Sequence, residues 1–329
     1  MALPKQRSET RPALRLIDTR KIERADWLEV RKTGIGGSDA AAAVGLSPYK
    51  SQLELWMEKT GRDADLPKPG PKDTTEPIHW GTLLEPIVAA AYTHQTGRKV
   101  RKVNAVLQHP EVPFMLANLD REVIAAPGVQ ILECKTAGEF GARLWKEGVP
   151  EYAQLQVQHQ LAVTGKQAAD VVVLLCGQRL EVHRIQRDDE LIARLIELEA
   201  QFWKYVTTDT PPPADGSESA ELALRCLYQG NSSTVDFSDD RGLSTTFADL
   251  VALRADIKAK ETQAEKFKQT LLQAMGDASE ARFETGRISF RRSKDSSHFD
   301  VDRLLLNHPR LALEYVTTRP GSRRFRILD

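Results

Sequence analysis

The segment Ile131-Leu132-Glu133-Cys134-Lys135 constrains this chain more than any other. It places an acid and a lysine two residues apart inside an apolar run. As a β-strand, it turns Glu133 and Lys135 to one face and sends Leu132 and Cys134 into packing on the other. A second acid, Asp120, ends the preceding apolar run Phe114-Met115-Leu116-Ala117-Asn118-Leu119. Two adjacent strands would bring Asp120, Glu133 and Lys135 to one spot. The plain reading of an acid and a lysine so spaced is a solvated face with a cross-strand ion pair. The sharper one is the minimal set for cutting a phosphodiester with a divalent metal.

Hydrolysis of a nucleic-acid backbone adds negative charge to a phosphate that is already anionic. Hard cations such as Mg²⁺ answer this and prefer oxygen ligands. Asp120 and Glu133 would supply them, with the backbone carbonyl of Cys134 as a third. A metal-bound water has a lowered pKa and can attack in line. Lys135 would orient or stabilise that nucleophile and the developing charge.

Further motifs stand in order along the chain: Trp27-Leu28-Glu29-Val30-Arg31, Gly34-Ile35-Gly36-Gly37-Ser38, Trp80-Gly81-Thr82-Leu83-Leu84-Glu85-Pro86, Leu119-Asp120, the Glu133-Cys134-Lys135 strand, and YAQLQVQHQ at 152–160. Their order and spacing resemble the YqaJ-like viral recombinase family, to which phage lambda exonuclease belongs within the PD-(D/E)XK nuclease superfamily. The resemblance covers roughly residues 20–205. It implies an α/β fold: a restriction-endonuclease-like core with a central mixed sheet flanked by helices. It also implies an Mg²⁺-dependent 5′→3′ exonuclease on linear double-stranded DNA that leaves 3′ single-stranded tails for annealing. Two Mg²⁺ ions per site are implied, with Mn²⁺ able to substitute. Asp120, Glu133 and the Cys134 carbonyl match ligands of the first metal, and Glu85, with Asp120, matches the acid of the second. Lys135 is the motif lysine, and Gln156 matches the glutamine beside the catalytic centre, with Tyr152 and Gln160 as accessory residues. Arg31 and Ser38 match the pocket for the 5′-terminal phosphate. The first acid is followed by Arg121, so the proline-aspartate pair of the superfamily name is absent.

Each residue also has a duller account. Glu85 reads as an acid near the start of a helix running to about Gln95, where the dipole favours it and where Pro86 is tolerated. Tyr152, Gln156 and Gln160 recur at helical spacing and could form ordinary surface, although Leu155, Leu161 and Val163 place the helix against the sheet. Arg31 could pair with Glu29 or Asp26. The glycine pair before Ser38 reads as a loop entering a helix, whose free N–H groups suit a phosphate.

Lys+Arg and Asp+Glu both number 46, so the net charge is zero. Phosphate binding ordinarily needs a basic surface. Either the cations gather on one face or the protein holds DNA by encircling it; the resemblance favours the second, as a homotrimeric ring. The three cysteines form no CxxC pair, which argues against a zinc or disulfide framework and against a four-cysteine cluster. No stretch suits a membrane span, and the first residues lack a signal peptide's apolar core. A cytoplasmic location is expected.

The organisation expected is a loose segment at 1–20, an exonuclease core at 21–206, a linker at 207–220 and a C-terminal α+β extension at 221–329. Within the core we expect a mobile loop at 62–78, strands at 98–107, 113–125 and 129–136, and further strands at 169–176 and 180–186. Leu144 and Trp145 suit core packing. In the extension we expect a long charged helix at 247–275 and hairpins at 281–291 and 313–328. Arg287, Arg291, Arg292, Arg323, Arg324 and Arg326 gather there in sequence, as a solvated surface, a grip on duplex DNA, or a dock for a single-strand annealing protein. Two other functions fit the same residues: an endonuclease or single-strand nuclease on this fold, and a non-catalytic recombination scaffold. The presence of all of Glu85, Asp120, Glu133 and Lys135 argues against the scaffold.

Overall fold

The computed structural model describes residues 13–67, 77–318, 321 and 323–328. The chain divides after Gln229 into two compact units. The first contains β1 (Leu14–Ile17), α1 (Arg24–Lys32), a 3-10 turn at Gly37–Asp39 that runs into α2 (Ala40–Ala43), α3 (Gln52–Lys59), α4 (Pro77–Thr96), β2 (Lys99–Lys102), β3 (Val106–Gln108), β4 (Leu116–Ala117), β5 (Arg121–Ile124), β6 (Ile131–Ala137), α5 (Glu151–Thr164), β7 (Ala168–Leu175), β8 (Arg179–Gln186), α6 (Asp189–Thr207) and α7 (Glu218–Leu227). The second contains α8 (Arg241–Met275), the hairpin of β9 (Glu280–Phe283) and β10 (Gly286–Ser289), α9 (Val301–Asn307) and α10 (Pro309–Tyr315).

The continuous apolar run of β7 makes it a strand covered on both faces. Val171, Val173 and Leu175 pack with α5 residues Val157 and Leu161 on one side. Val172 packs on the other with Val88, Ala89 and Tyr92 of α4. Each fully buried aliphatic side chain of this kind contributes about 1.5–3 kcal/mol. The sheet order is β2-β5-β6-β7-β8. Only the β6–β7 pair is parallel, so α5 is the crossover that such a pair requires. The result is a mixed sheet between helical layers, an α/β core. A second, three-stranded sheet is ordered β1-β3-β4.

α5 begins after Pro150 and ends at Gly165, whose φ of 68° suits glycine. Nearly all of it is buried, including Gln156, Gln158, His159 and Gln160. Beneath α4, Asp170 of β7 is 1% exposed. It accepts from Tyr92 Oη at 2.6 Å, from the Arg184 guanidinium and from Arg98 at 3.4 Å. Burial, then Asp170 itself, pushes the Tyr92 hydroxyl up to about 12. This network fixes α4, and with it Glu85, to the sheet.

Several expectations need correcting. Leu14–Ile17 is not loose but pairs antiparallel with β3; residues 1–12 lie outside the described residues. The strand expected at 98–107 is two strands in different sheets, as is that at 113–125; the chain crosses between sheets at 103–105 and 118–120. Of the loop expected at 62–78, residues 68–76 lie outside the described residues, and α4 already begins at Pro77. Pro86 is therefore inside a helix of 20 residues, and Glu85 is not a helix-start acid. Trp145 is core and Leu144 is exposed. Glu218–Leu227 packs on α3 instead of joining the C-terminal unit: Ser219 Oγ donates to Glu54 and lies 3.0 Å from Ser51 Oγ, and Ala223 enters the cluster around Trp56. The second hairpin is replaced by α10, since Pro309 at its first turn starts a helix; no strand follows among the described residues, and Pro320 lies outside them. No helix among the described residues is long and apolar enough to cross a membrane.

Two changes test this packing. A Cβ on Gly34 would lie 2.5 Å from the Phe114 carbonyl oxygen and 2.7 Å from Leu116 Cγ. Gly34→Ala should cost about 1–3 kcal/mol, read from urea midpoints. His159 is fully buried, with Nδ1 2.7 Å from Glu199 Oε1 and Nε2 2.8 Å from the Leu116 carbonyl. Facing two acceptors, the ring donates from both nitrogens and is an imidazolium. Burial alone would lower its pKa, but Glu199 and the Leu116 carbonyl raise it above the ordinary 6.5. The folded state therefore holds this proton more tightly than the unfolded state. The stabilisation is complete below about pH 6.5 and is lost as pH rises through the higher folded-state value. Urea unfolding from about pH 6 to about pH 9 should show stability falling with pH through this proton. His159→Gln should make that slope shallower; an unchanged slope would exclude the ion pair.

Candidate active site

The β5–β6 junction brings the first acid to the second. The ladder pairs Arg121 with Leu132. One residue earlier the backbone bond is replaced by a side chain: Cys134 N donates to Asp120 Oδ2 at 2.8 Å. A strand residue presents its N–H and C=O toward the same neighbour, so the Cys134 carbonyl is offered on the Asp120 side. Cys134 Sγ is half-buried in the opposite packing layer, and burial, then Asp120, raises its pKa.

Glu133 is 3% exposed, and α5 supplies its partners. Gln156 Nε2 donates to Oε1 at 2.6 Å, and Gln160 Nε2 to Oε2 at 2.8 Å. Lys135 Nζ lies 2.9 Å from Glu133 Oε1 and donates to Gln156 Oε1 at 2.7 Å. Glu133, Gln156 and Lys135 thus form a closed triangle in which both ends of one amide are used. The polar stripe of α5 is therefore not surface. Gly37 permits the approach: a Cβ there would lie 3.2 Å from Gln160 Cγ and 3.4 Å from Gln156 Cγ. Tyr152 does not reach the carboxylates; its ring meets Tyr49 edge-on at 5.5 Å.

Glu85 comes from the opposite layer. Its Oε1 accepts from Arg121 Nη1 at 2.5 Å, and that nitrogen also donates to the Asp120 carbonyl at 2.6 Å. The residue that stands after the first acid therefore provides the third acid's counter-charge.

Arg31 pairs with neither Glu29 nor Asp26, because α1 ends beside the glycine turn. Its Nη2 donates to Ser38 Oγ at 2.8 Å and to Asp39 Oδ1 at 3.1 Å, and its guanidinium lies 5.0 Å from the Trp27 ring centroid. Glu29 pairs with Lys32 instead.

These groups face one cavity of about 580 Å³, lined by Arg31, Ser38, Glu85, Asp120, Glu133, Lys135 and Gln156, with the Cys134 backbone segment, Asn118, Thr136 and Tyr49 around them. Three carboxylates meet the two cations Lys135 and Arg121. Burial, then the Glu133 charge, raises the Asp120 carboxyl to about 8. Burial alone would lower the Lys135 ammonium's pKa, but Glu133 and Asp120 together raise it. Oxygen donors crowded in this way suit a hard divalent cation, whose charge would remove the repulsion that Asp120 registers. Among the described residues, no three His, Cys, Asp or Glu side chains are already grouped as a ligand shell: Glu85 is turned to Arg121 and Glu133 to the glutamines. The donor chemistry fits a metal, and those contacts are the ones a metal would replace.

Sequence reading missed Asp39, Lys59 and Arg121. Asp39 directly follows the glycine–serine turn, which was a usable signal. Lys59 reaches Asp39 at 2.8 Å from another helix, and nothing local marks it.

The profile of the YqaJ-like viral recombinase domain matches residues 26–167, a span that contains every candidate residue above. The chain is 34% identical over 268 residues to the uncharacterized protein YqaJ of Bacillus subtilis (strain 168), covering 78% of this chain and 80% of that one. It is 24% identical over 264 residues to protein D345L of African swine fever virus, covering 68% and 74%. Among solved structures, an alkaline exonuclease from Laribacter hongkongensis superposes with a TM-score of 0.46 at 24% identity, over 56% of this chain and 93% of that one. By its likeness to the Bacillus protein across most of both chains, and by the domain match that encloses the cavity, this chain belongs to the YqaJ-like viral recombinase family.

Proposed function

We propose that this chain is a divalent-metal-dependent 5′→3′ exonuclease that acts on linear double-stranded DNA and leaves 3′ single-stranded tails for annealing recombination. The observation that carries this reading is one cavity shared by an acidic cluster with a buried lysine and by an arginine–serine pair. Membership of a viral recombinase family supports the recombination setting.

Asp120, Glu133 and the Cys134 carbonyl would hold one Mg²⁺, and Glu85 with Asp120 a second; Mn²⁺ would serve in its place. Bound there, the metal supplies Lewis-acid charge and an activated water for phosphodiester hydrolysis. Gln156 fixes the Lys135 ammonium and the Glu133 carboxylate relative to each other. Lys135 then stabilises charge that develops on the reacting phosphate, without reorganising at that moment. Gln160 holds the outer oxygen of Glu133 and keeps that carboxylate from turning away. Arg31 and Ser38 bind the 5′-terminal phosphate, which demands a DNA end and separates this reading from an endonuclease.

A protein with as many acids as bases gains by holding DNA topologically, and we assign it a homotrimeric ring. Its partner would be a single-strand annealing protein in the cytoplasm, docked on the C-terminal unit. Light scattering should return a trimer; a monomer that is fully active would exclude the ring.

The deciding experiment digests end-labelled linear duplex with Mg²⁺, carrying 5′-phosphate or 5′-hydroxyl ends, beside covalently closed circles. Linear phosphorylated duplex should be degraded fastest and circles not at all; cleavage of circles would end the exonuclease reading. Lys135→Ala should lower turnover by about 10²–10³-fold while DNA binding by fluorescence anisotropy is retained. Asp120→Ala should lose both activity and calorimetric Mg²⁺ binding. Full Mg²⁺ affinity in that variant would remove Asp120 from the ligand set.

A further inference from the structure

Arg31 does not stand alone in its part of the cavity. The Asp39 carboxylate it touches is 5% exposed and accepts three further contacts: a second, longer one from Arg31 at 3.3 Å, one from Gly36 N at 3.2 Å and one from Lys59 Nζ at 2.8 Å. The Lys59 side chain is 4% exposed, and its ammonium also donates to the Arg31 backbone carbonyl at 2.9 Å. Lys59 therefore grips both the carboxylate that holds the guanidinium and the backbone that carries it. The Arg31 guanidinium also lies over the Trp27 ring. Of the three charged side chains, only Arg31 lines the cavity.

The charges matter as much as the contacts. An isolated Arg31–Asp39 pair would be neutral and would offer little to a terminal phosphate. Two cations around one carboxylate leave one positive charge in excess. Burial alone would raise the Asp39 pKa, but Lys59 and Arg31 hold the carboxyl well below the usual range. Burial lowers the Lys59 pKa and Asp39 opposes this; the direct bond to an ionised carboxylate keeps the pair charged. Breaking such a buried pair by neutralising one member leaves the other uncompensated.

We propose that Asp39 and Lys59 are positioning residues for 5′-end recognition: Asp39 orients the Arg31 guanidinium into the cavity, Lys59 restores the positive charge that Asp39 would otherwise cancel, and Trp27 backs the guanidinium. The proposal rests on the reading of Arg31 as the 5′-phosphate ligand and adds the reason that ligand is aimed and net cationic.

The test compares kcat/KM of the full-length protein on linear duplexes of one sequence carrying 5′-phosphate or 5′-hydroxyl ends. Wild type, Arg31→Ala, Asp39→Asn, Lys59→Met, Lys59→Arg and Trp27→Leu are measured with Mg²⁺, each with a melting curve. Asp39→Asn and Lys59→Met should lower the phosphate preference about tenfold, through KM more than through kcat. Lys59→Arg, which keeps the charge, should retain the preference. Trp27→Leu removes a half-exposed ring and leaves the buried pair alone, so it tests the support even where the buried variants fail to fold; it should lower the preference about threefold. A purely structural role would depress both substrates alike and leave their ratio unchanged. If Arg31→Ala loses the preference while Asp39→Asn, Lys59→Met and Trp27→Leu keep it, this proposal is overturned and the pocket stands. If wild type shows no preference, or Arg31→Ala leaves it intact, the pocket and the proposal both fall.

Discussion

Like charges forced together in a space with little water set the terms for this molecule. Two unit charges about 4 Å apart at an effective dielectric near 20 repel by about 4 kcal/mol, a large fraction of a typical domain's net stability. Burial first, and then that repulsion, raise the Asp120 pKa. The chain answers with its own cations and dipoles. Lys135 sits against Glu133, Arg121 against Glu85, and the Cys134 amide against Asp120. Two neutral amides from α5 cover Glu133 without adding charge. Each of these partners is something a bound cation could take over from, so the cluster is held together while remaining able to receive one.

Such a cluster needs a rigid frame, and most of the frame's polar investment lies behind it. α5 is the critical part. A largely buried helix with three buried glutamines and a buried histidine is unfavourable unless nearly every polar group finds a partner. Gln158 donates to the Gln186 carbonyl, His159 bridges Glu199 of α6 and Leu116 of β4, and Gln156 and Gln160 go to Glu133. The helix is thus locked to both sheets and to α6 in a single rotational setting. That setting aims its glutamines at the acid. On the far face, Asp170 does the corresponding work for α4 through Tyr92, Arg98 and Arg184. Glu85 stands two helical turns from Tyr92, so its position is inherited from a contact further along α4.

What could be read from the sequence follows from the range of the interactions concerned. β6 and β7 were legible because period-two alternation and an unbroken apolar run are local signals. The convergence of Asp120, Glu133 and Lys135 was legible because neighbouring strands carry all three. Glu85 was located but misjudged. Pro86 reads as a first-turn proline, and the sequence alone does not show that packing against β6 and β7 sustains a helix through it. The segment at 218–227 was split between the linker and the C-terminal extension because its proline- and serine-rich approach resembles a linker, while its anchorage is a pair of long-range serine contacts to α3. Lys59 lies twenty residues beyond Asp39 on another helix, and no spacing rule joins them. Arg121 looked like a departure from a motif; only the fold shows it to be the counter-charge to Glu85.

The zero net charge, unexpected for a DNA-acting protein, acquires a structural reason. Several basic residues near the cavity are already committed to carboxylates: Arg31 and Lys59 to Asp39, Arg121 to Glu85 and Lys135 to Glu133. Charges spent in such pairs release few counterions from DNA and contribute little to non-specific affinity. The protein therefore does not rely on a broad basic surface near its chemistry. On the proposed function, recognition there would be concentrated in one excess positive charge at the Arg31 pocket, and cleavage in the neighbouring carboxylate cluster once a metal is bound. Discrimination for an end would follow from that division. A terminal phosphate carries more charge than an internal phosphodiester, so a pocket with one positive charge in excess would favour an end over unbroken backbone.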